Sequence, residues 1–116
     1  MKKVSSKQSE ANKRIKKAYK VIRDTMPHYC TGCGRGDIPL SHSHLIPRSR
    51  RKDLEADVRN ITYHCLSMGG PMGGRKGCHE IWESRDKYKL LDYHSNLEYI
   101  LEVDAEYYFL ITELNA

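Results

Sequence analysis

Four cysteines constrain this chain more than any other feature. Cys30 and Cys33 have two residues between them and Gly34 follows; Cys65 and Cys78 stand further along. The short gap lets both thiolates of the first pair reach one tetrahedral ion, and glycine permits the tight turn around it. Cys65 and Cys78 are the expected second half of the site. The 12 residues between them include Ser67 to Gly77, five glycines in eleven residues, a segment expected to loop out while the two cysteines stay adjacent in space. The opening MKKVSSKQSEANKRIKK has a basic start with no apolar region behind it, so a cytoplasmic, reducing environment is expected, and four cysteines there point to structural Zn2+ before disulfides. His28 and His64 lack any ligand spacing that would favour them over the thiols.

A chain of 116 residues suits one domain with one core. No stretch approaches the ~20 consecutive apolar residues of a membrane span, so no membrane partner is expected. The net charge of +5 hints at a polyanionic partner, and its distribution is polarised. Residues 1–23 hold nine Lys/Arg against Glu10 alone, whereas residues 90–116 hold six acids and no Lys or Arg.

Apolar steps at Ala11, Ile15, Ala18, Tyr19 and Ile22 predict a basic amphipathic helix over Ser9 to Thr25, within an N-terminal segment 1–26 that Pro27 closes. Residues 28–91 hold the knuckle and an α+β core. Alternation predicts a strand over Leu40 to Ile46, with His42 and His44 on one face and Ser41, Ser43 and Leu45 on the other. The β-branched and aromatic run 61–65 predicts a second strand. Helix is expected from His79 to about Leu91. Ser95-x-x-Glu98 reads as a capping box for a last acidic helix, 95–114, with Leu97, Ile100, Leu101, Tyr108, Ile111 and Leu114 as its apolar stripe.

Taken in order, Cys30-x-x-Cys33, His44-Leu45-Ile46-Pro47-Arg48, Asn60-x4-Cys65 and Cys78-His79 resemble the HNH endonuclease family. The resemblance covers Cys30 to about Glu83. It implies a small ββα-metal, treble-clef-like core beside a structural zinc, one catalytic divalent metal (Mg2+, Mn2+, Ni2+ or Zn2+), DNA as partner and phosphodiester hydrolysis. Carried over position by position, His44 falls on the general base, Asn60 on the central asparagine and His79 on the metal-binding histidine, with Cys30, Cys33, Cys65 and Cys78 on the zinc positions. Small nucleases of phages and mobile elements are analogous in size and motif.

These roles are chemically reasonable. Near pH 7 a neutral imidazole can take the proton of an attacking water, a divalent cation can balance the charge growing on the phosphate, and an Asn amide can fix the loop that carries the base. The sequence departs from the family in placing Ser43, a poor ligand, immediately before His44. His42 and Glu83 are the candidate replacements beside His79. Arg48, Arg50, Arg51 and Lys52, together with Arg75 and Lys76 of the glycine-rich loop, are candidate phosphate contacts. The alternative is a zinc-stabilised nucleic-acid-binding module without catalysis, or an adaptor in a DNA-processing complex, whose acidic C-terminal helix would serve a protein partner or self-association.

Overall fold

A computed structural model describes residues 6–69 and 74–113, with residues 6 and 7 as backbone alone. The first helix, α1 (Ser6–Thr25), begins three residues before the sequence signal and buries Ala11, Ile15, Ala18 and Ile22 at helical spacing. It ends where expected: Pro27 disfavours a helical conformation at Met26, and the Thr25 hydroxyl caps the Val21 carbonyl at 2.6 Å.

After the knuckle come β1 (Leu40–His44) and, beyond two 3-10 turns, β2 (Ile61–Cys65). They form a two-stranded antiparallel sheet in the register Ser41↔His64, His42↔Tyr63 and Ser43↔Thr62. The strand predicted through Ile46 stops at His44. Asn60 takes over there, its carbonyl accepting from the Leu45 amide at 2.8 Å and its side chain claiming both backbone groups of Ile46. All five residues of β2 are buried because both faces of the sheet are covered. Ala18 and Ile22 of α1 pack on Ile61 and Tyr63. On the other side a larger core joins the cysteines to Leu45, Ile46, Trp82, Leu97, Ile100 and Ile111. An isoleucine buried as fully as Ile22, Ile46 or Ile100 stabilises by roughly 1.5–3 kcal/mol.

Two expectations about the second half of the chain are corrected. The helix expected from His79 to Leu91 is a short α2 (Cys78–Trp82) followed by a 3-10 segment, Arg85–Lys89. Ser84 divides them: its hydroxyl bonds back to the Ile81 carbonyl at 2.7 Å and accepts from the Asp86 amide at 3.1 Å, the side-chain competition that interrupts helices. The single acidic helix is two helices, α3 (Tyr93–Val103) and α4 (Ala105–Glu113), broken at Asp104, which caps α4 by accepting from the Tyr107 amide at 3.1 Å. Ser95 is not the cap of a helix; it lies inside α3, and its hydroxyl returns to the Asp92 carbonyl. Of the apolar stripe, Leu97, Ile100 and Ile111 are buried, Leu101 is exposed, and Leu114 lies outside the described residues.

The whole is a small α+β protein, with four α-helices and one two-stranded sheet among the described residues. No described helix is long and apolar enough to cross a membrane.

Candidate functional site

The four cysteine sulfurs lie within 4.8 Å of one another. Cys33 Sγ and Cys65 Sγ are 3.9 Å apart, close to the edge of about 3.8 Å expected when four thiolates sit ~2.3 Å from one zinc ion. The glycine-rich segment makes this spacing workable: Met68 and Arg75 exchange backbone hydrogen bonds of 2.7 and 2.6 Å, which returns the chain to Cys65. Gly77 then lies so near the Cys65 and Leu66 carbonyl groups that a Cβ would overlap them. Residues 70–73 of the loop lie outside the described residues.

The donors around the sulfurs suit thiolates. The Cys65 amide points to Cys30 Sγ at 3.3 Å, the Cys78 amide to Cys65 Sγ at 3.2 Å, and the Arg75 guanidinium to Cys65 and Cys33 at 3.2 and 3.5 Å. Burial alone would raise the Cys65 thiol, but the Cys78 amide, the Arg75 guanidinium and the neighbouring thiols of Cys78 and Cys30 outweigh it and bring the group down to about 6. Burial pushes Cys30 and Cys78 up. Four sulfurs this close ionise together only around a cation, so the cluster could hold a structural metal ion such as zinc. His28 and His64 are engaged elsewhere: His28 donates to the Arg23 carbonyl, and buried His64 pairs with Asp92 at 2.8 Å.

A cleft of about 450 Å³ lies at the end of β1, lined among others by His44, Arg48, His79, Trp82, Glu83 and Lys87. His44 Nε2 is 2.8 Å from the Glu55 carbonyl. A carbonyl can only accept, so Nε2 carries the proton and Nδ1 keeps the basic lone pair of the neutral ring. Burial depresses the imidazole, opposed in part by that carbonyl, and keeps it neutral at pH 7. Asn60 secures this arrangement. It is wholly buried; its Oδ1 accepts from the Ile46 amide at 2.8 Å, and its Nδ2 donates to the carbonyls of Ile46 and Leu54, each at 3.2 Å. One amide thus ties the end of the His44 strand to the residue preceding Glu55.

His79 is read by the same logic. The Ser41 hydroxyl donates its one proton to the His64 carbonyl at 3.0 Å, so it accepts at 2.6 Å from His79 Nδ1–H. Nε2 then faces Glu83 Oε1 at 3.0 Å. A lone pair and a carboxylate oxygen repel at that distance unless a cation, either a proton or a metal ion, lies between them. Two ligand atoms each ~2.1 Å from a divalent ion and at right angles are about 3.0 Å apart, so the pair fits a shared metal ion as well. His42 is not brought to this cleft. It stacks on Tyr19 of α1, ring centroids 4.0 Å apart and planes 10° from parallel. Ser43 is buried on the opposite face.

The basic run is largely committed within the fold. Arg50 forms a two-armed pair with Asp104 at 3.0 and 3.2 Å; Arg51 grips Asp53, Asp104 and the Val103 carbonyl. Arg48 bonds to buried Glu55 at 3.1 Å while still lining the cleft. Lys52 borders a surface groove beside α1. Arg75 is on the sulfurs, and exposed Lys76 stands 3.8 Å from Glu80.

Several contributors carried little sequence signal. Ser41 stood on the face opposite His42 and His44, and its role depends on β2 pairing. Glu55 acts through a backbone carbonyl, which no side-chain pattern announces. Lys87 and Tyr107 reach the cleft only because the chain breaks at Ser84 and Asp104. No protein-family model matches this chain, and no curated protein or solved structure matches it either.

Proposed function

We propose that this protein is a metal-dependent DNA endonuclease of the HNH type, its hairpin and α2 forming a ββα-metal core beside a zinc knuckle. One observation carries the reading: a histidine fixed in the tautomer of a base and a histidine–carboxylate pair spaced for a cation line one cleft. His79 and Glu83 would hold the catalytic ion. When bound, that ion supplies positive charge for the phosphate as it becomes more negative.

The remaining steps belong to the chain. His44 takes the proton of the attacking water at Nδ1, the water oxygen bonds to phosphorus, and the bond to the departing sugar oxygen breaks, that oxygen taking a proton from solvent. Asn60 and the Glu55 carbonyl hold His44 in its tautomer. Arg48 and Lys87 place two cations on the cleft wall for the flanking phosphates. Lys87 is half-buried, and burial lowers its ammonium.

The test is nicking of supercoiled plasmid by metal-stripped protein reloaded with Zn2+ at the cysteines and given Mg2+, Mn2+, Ni2+ or Zn2+, beside His44→Ala, His79→Ala and Glu83→Gln. Cleavage by the parent, lost in His44→Ala and His79→Ala, is expected. A parent that binds DNA but cuts with none of these ions supports instead the binding-module reading. That reading is favoured by one fact: among the described residues the only cluster of three or more metal-ligating groups is the cysteine one.

A further inference from the structure

The cations that sequence order places after β1 and those that the fold leaves available differ. Arg35, Arg48, Arg50, Arg51 and Arg59 each contact a carboxylate, and Arg75 contacts sulfur. On α1 the opposite holds: among the described residues, no ion pair or hydrogen bond engages the side chains of Lys13, Lys16, Lys17, Lys20 or Arg23, and all five are exposed. At 100° per residue these five occupy an arc of about 120° opposite the buried Ala11, Ile15, Ala18 and Ile22. From Lys13 to Arg23 the helix rises about 15 Å.

We infer that the outer face of α1 is a nucleic-acid backbone-binding surface, the main source of affinity beside the cleft. Each strand of duplex DNA presents one phosphate per ~3.4 Å of axis, so 15 Å of helix passes about four phosphates with five cations. A membrane surface is the poorer fit. An interfacial helix needs a free apolar face, and that of α1 is spent on Ile61 and Tyr63; among the described residues, Val21 is the one large apolar side chain exposed on α1. The helix also runs beside the His44 end of the cleft without lining it. Tyr19 packs 6.4 Å from the His44 ring, and Arg14 shares a groove with Lys52, four residues from Arg48 of the cleft wall. Glu10, the lone acid among the first 23 residues, lines the same groove. The contacts are to phosphates, so they supply affinity and register and read no sequence.

This inference rests on the nuclease reading for its substrate, and one experiment separates the two. Duplex and single-stranded DNA binding are titrated from 50 to 300 mM salt for the parent, for Lys13→Ala/Lys17→Ala/Lys20→Ala, and for Arg35→Ala/Arg85→Ala/Lys89→Ala, which removes equal charge from exposed sites elsewhere. Alanine preserves the helix, so fold is retained. The α1 variant is expected to bind 10- to 100-fold more weakly at 0.1 M salt, with the salt slope reduced by roughly 2–3, near ~0.9 per lost phosphate contact. The control variant is expected within threefold of the parent. An α1 variant that binds like the parent while the parent still cuts overturns this inference and leaves the nuclease reading intact. Equal weakening in both variants, or binding to phosphatidylserine vesicles without binding to DNA, overturns it too. A parent that neither binds nor cuts nucleic acid overturns both.

Discussion

Asn60→Ala isolates the residue that joins stability to the site. The side chain is fully buried and makes three hydrogen bonds, two of them to the backbone of Ile46, itself wholly inaccessible. Alanine leaves the Ile46 N–H and C=O without partners, at roughly 1–3 kcal/mol each, while the Leu54 carbonyl nearer the surface can turn to water. The loss should be about 2–6 kcal/mol, a large part of the 5–15 kcal/mol that holds a domain of this size together. With a urea slope of about 1.5 kcal/mol/M, the midpoint should fall by roughly 1–4 M, with zinc bound throughout. Nitrogen NMR of His44 should report the Nε2–H tautomer in the parent and a tautomer mixture in the variant, because Leu54 and the Glu55 carbonyl are no longer held. Asn60→Asp should be unstable at neutral pH, where a carboxylate faces two carbonyl oxygens, and should recover in part in mild acid: with its folded value raised, the folded state binds more protons and gains stability as pH falls. An Asn60→Ala protein within 1 kcal/mol of the parent would refute the clasp.

Three further outcomes are expected. Burial depresses both His42 and His44, so the unfolded chain binds more protons near their ordinary range; stability should therefore decline as pH falls through about 6.5, a decline that should disappear from the stability curve of the His42→Phe/His44→Phe variant, and the acid limb of the parent's kcat/KM should lie below that value. Chelating the metal, or Cys33→Ser, should abolish cooperative unfolding seen by circular dichroism, and Zn2+ should restore it to the chelated parent. Asp104 is held down to about 2 by Arg50, so the stability it contributes is present above pH 4 and lost between 4 and 2; Asp104→Ala should lower the urea midpoint and erase that acid step.

The parts legible in the sequence were those fixed by local chemistry. The Cys30–Cys33 knuckle, the helix stopped by Pro27 and the residues of β2 follow from spacing, a missing N–H and side-chain branching. Misread were the parts decided by one polar side chain reaching across the fold. Ser84 and Ser95 offer the same cue, a small hydroxyl amid helix formers, yet one interrupts a helix and the other bonds harmlessly inside α3. Asp104 breaks the last helix because two arginines more than fifty residues earlier converge on it. His42 and His44 share a strand face as alternation requires, but alternation is blind to α1, whose Tyr19 occupies His42 and leaves His44 to the cleft.

The basic-to-acidic gradient along the chain acquires a structural use from these pairings. Had the lysine-rich α1 neutralised the acidic C-terminal arm, the protein would have consumed its own polyanion-binding surface. Instead Asp104 and Glu102 engage Arg50, Arg51 and Arg59. Arg50 also stacks over Tyr107, 4.9 Å from its ring centre, and Tyr107 is the α4 residue that lines the cleft. The run after β1 therefore fastens one wall of the cleft to the strand that carries His44. Cations in the middle of the chain hold the cleft together, so those of α1 stay free for phosphate. Loss of Asp104 should accordingly loosen the cleft wall without weakening backbone affinity, whereas loss of the α1 lysines should do the reverse.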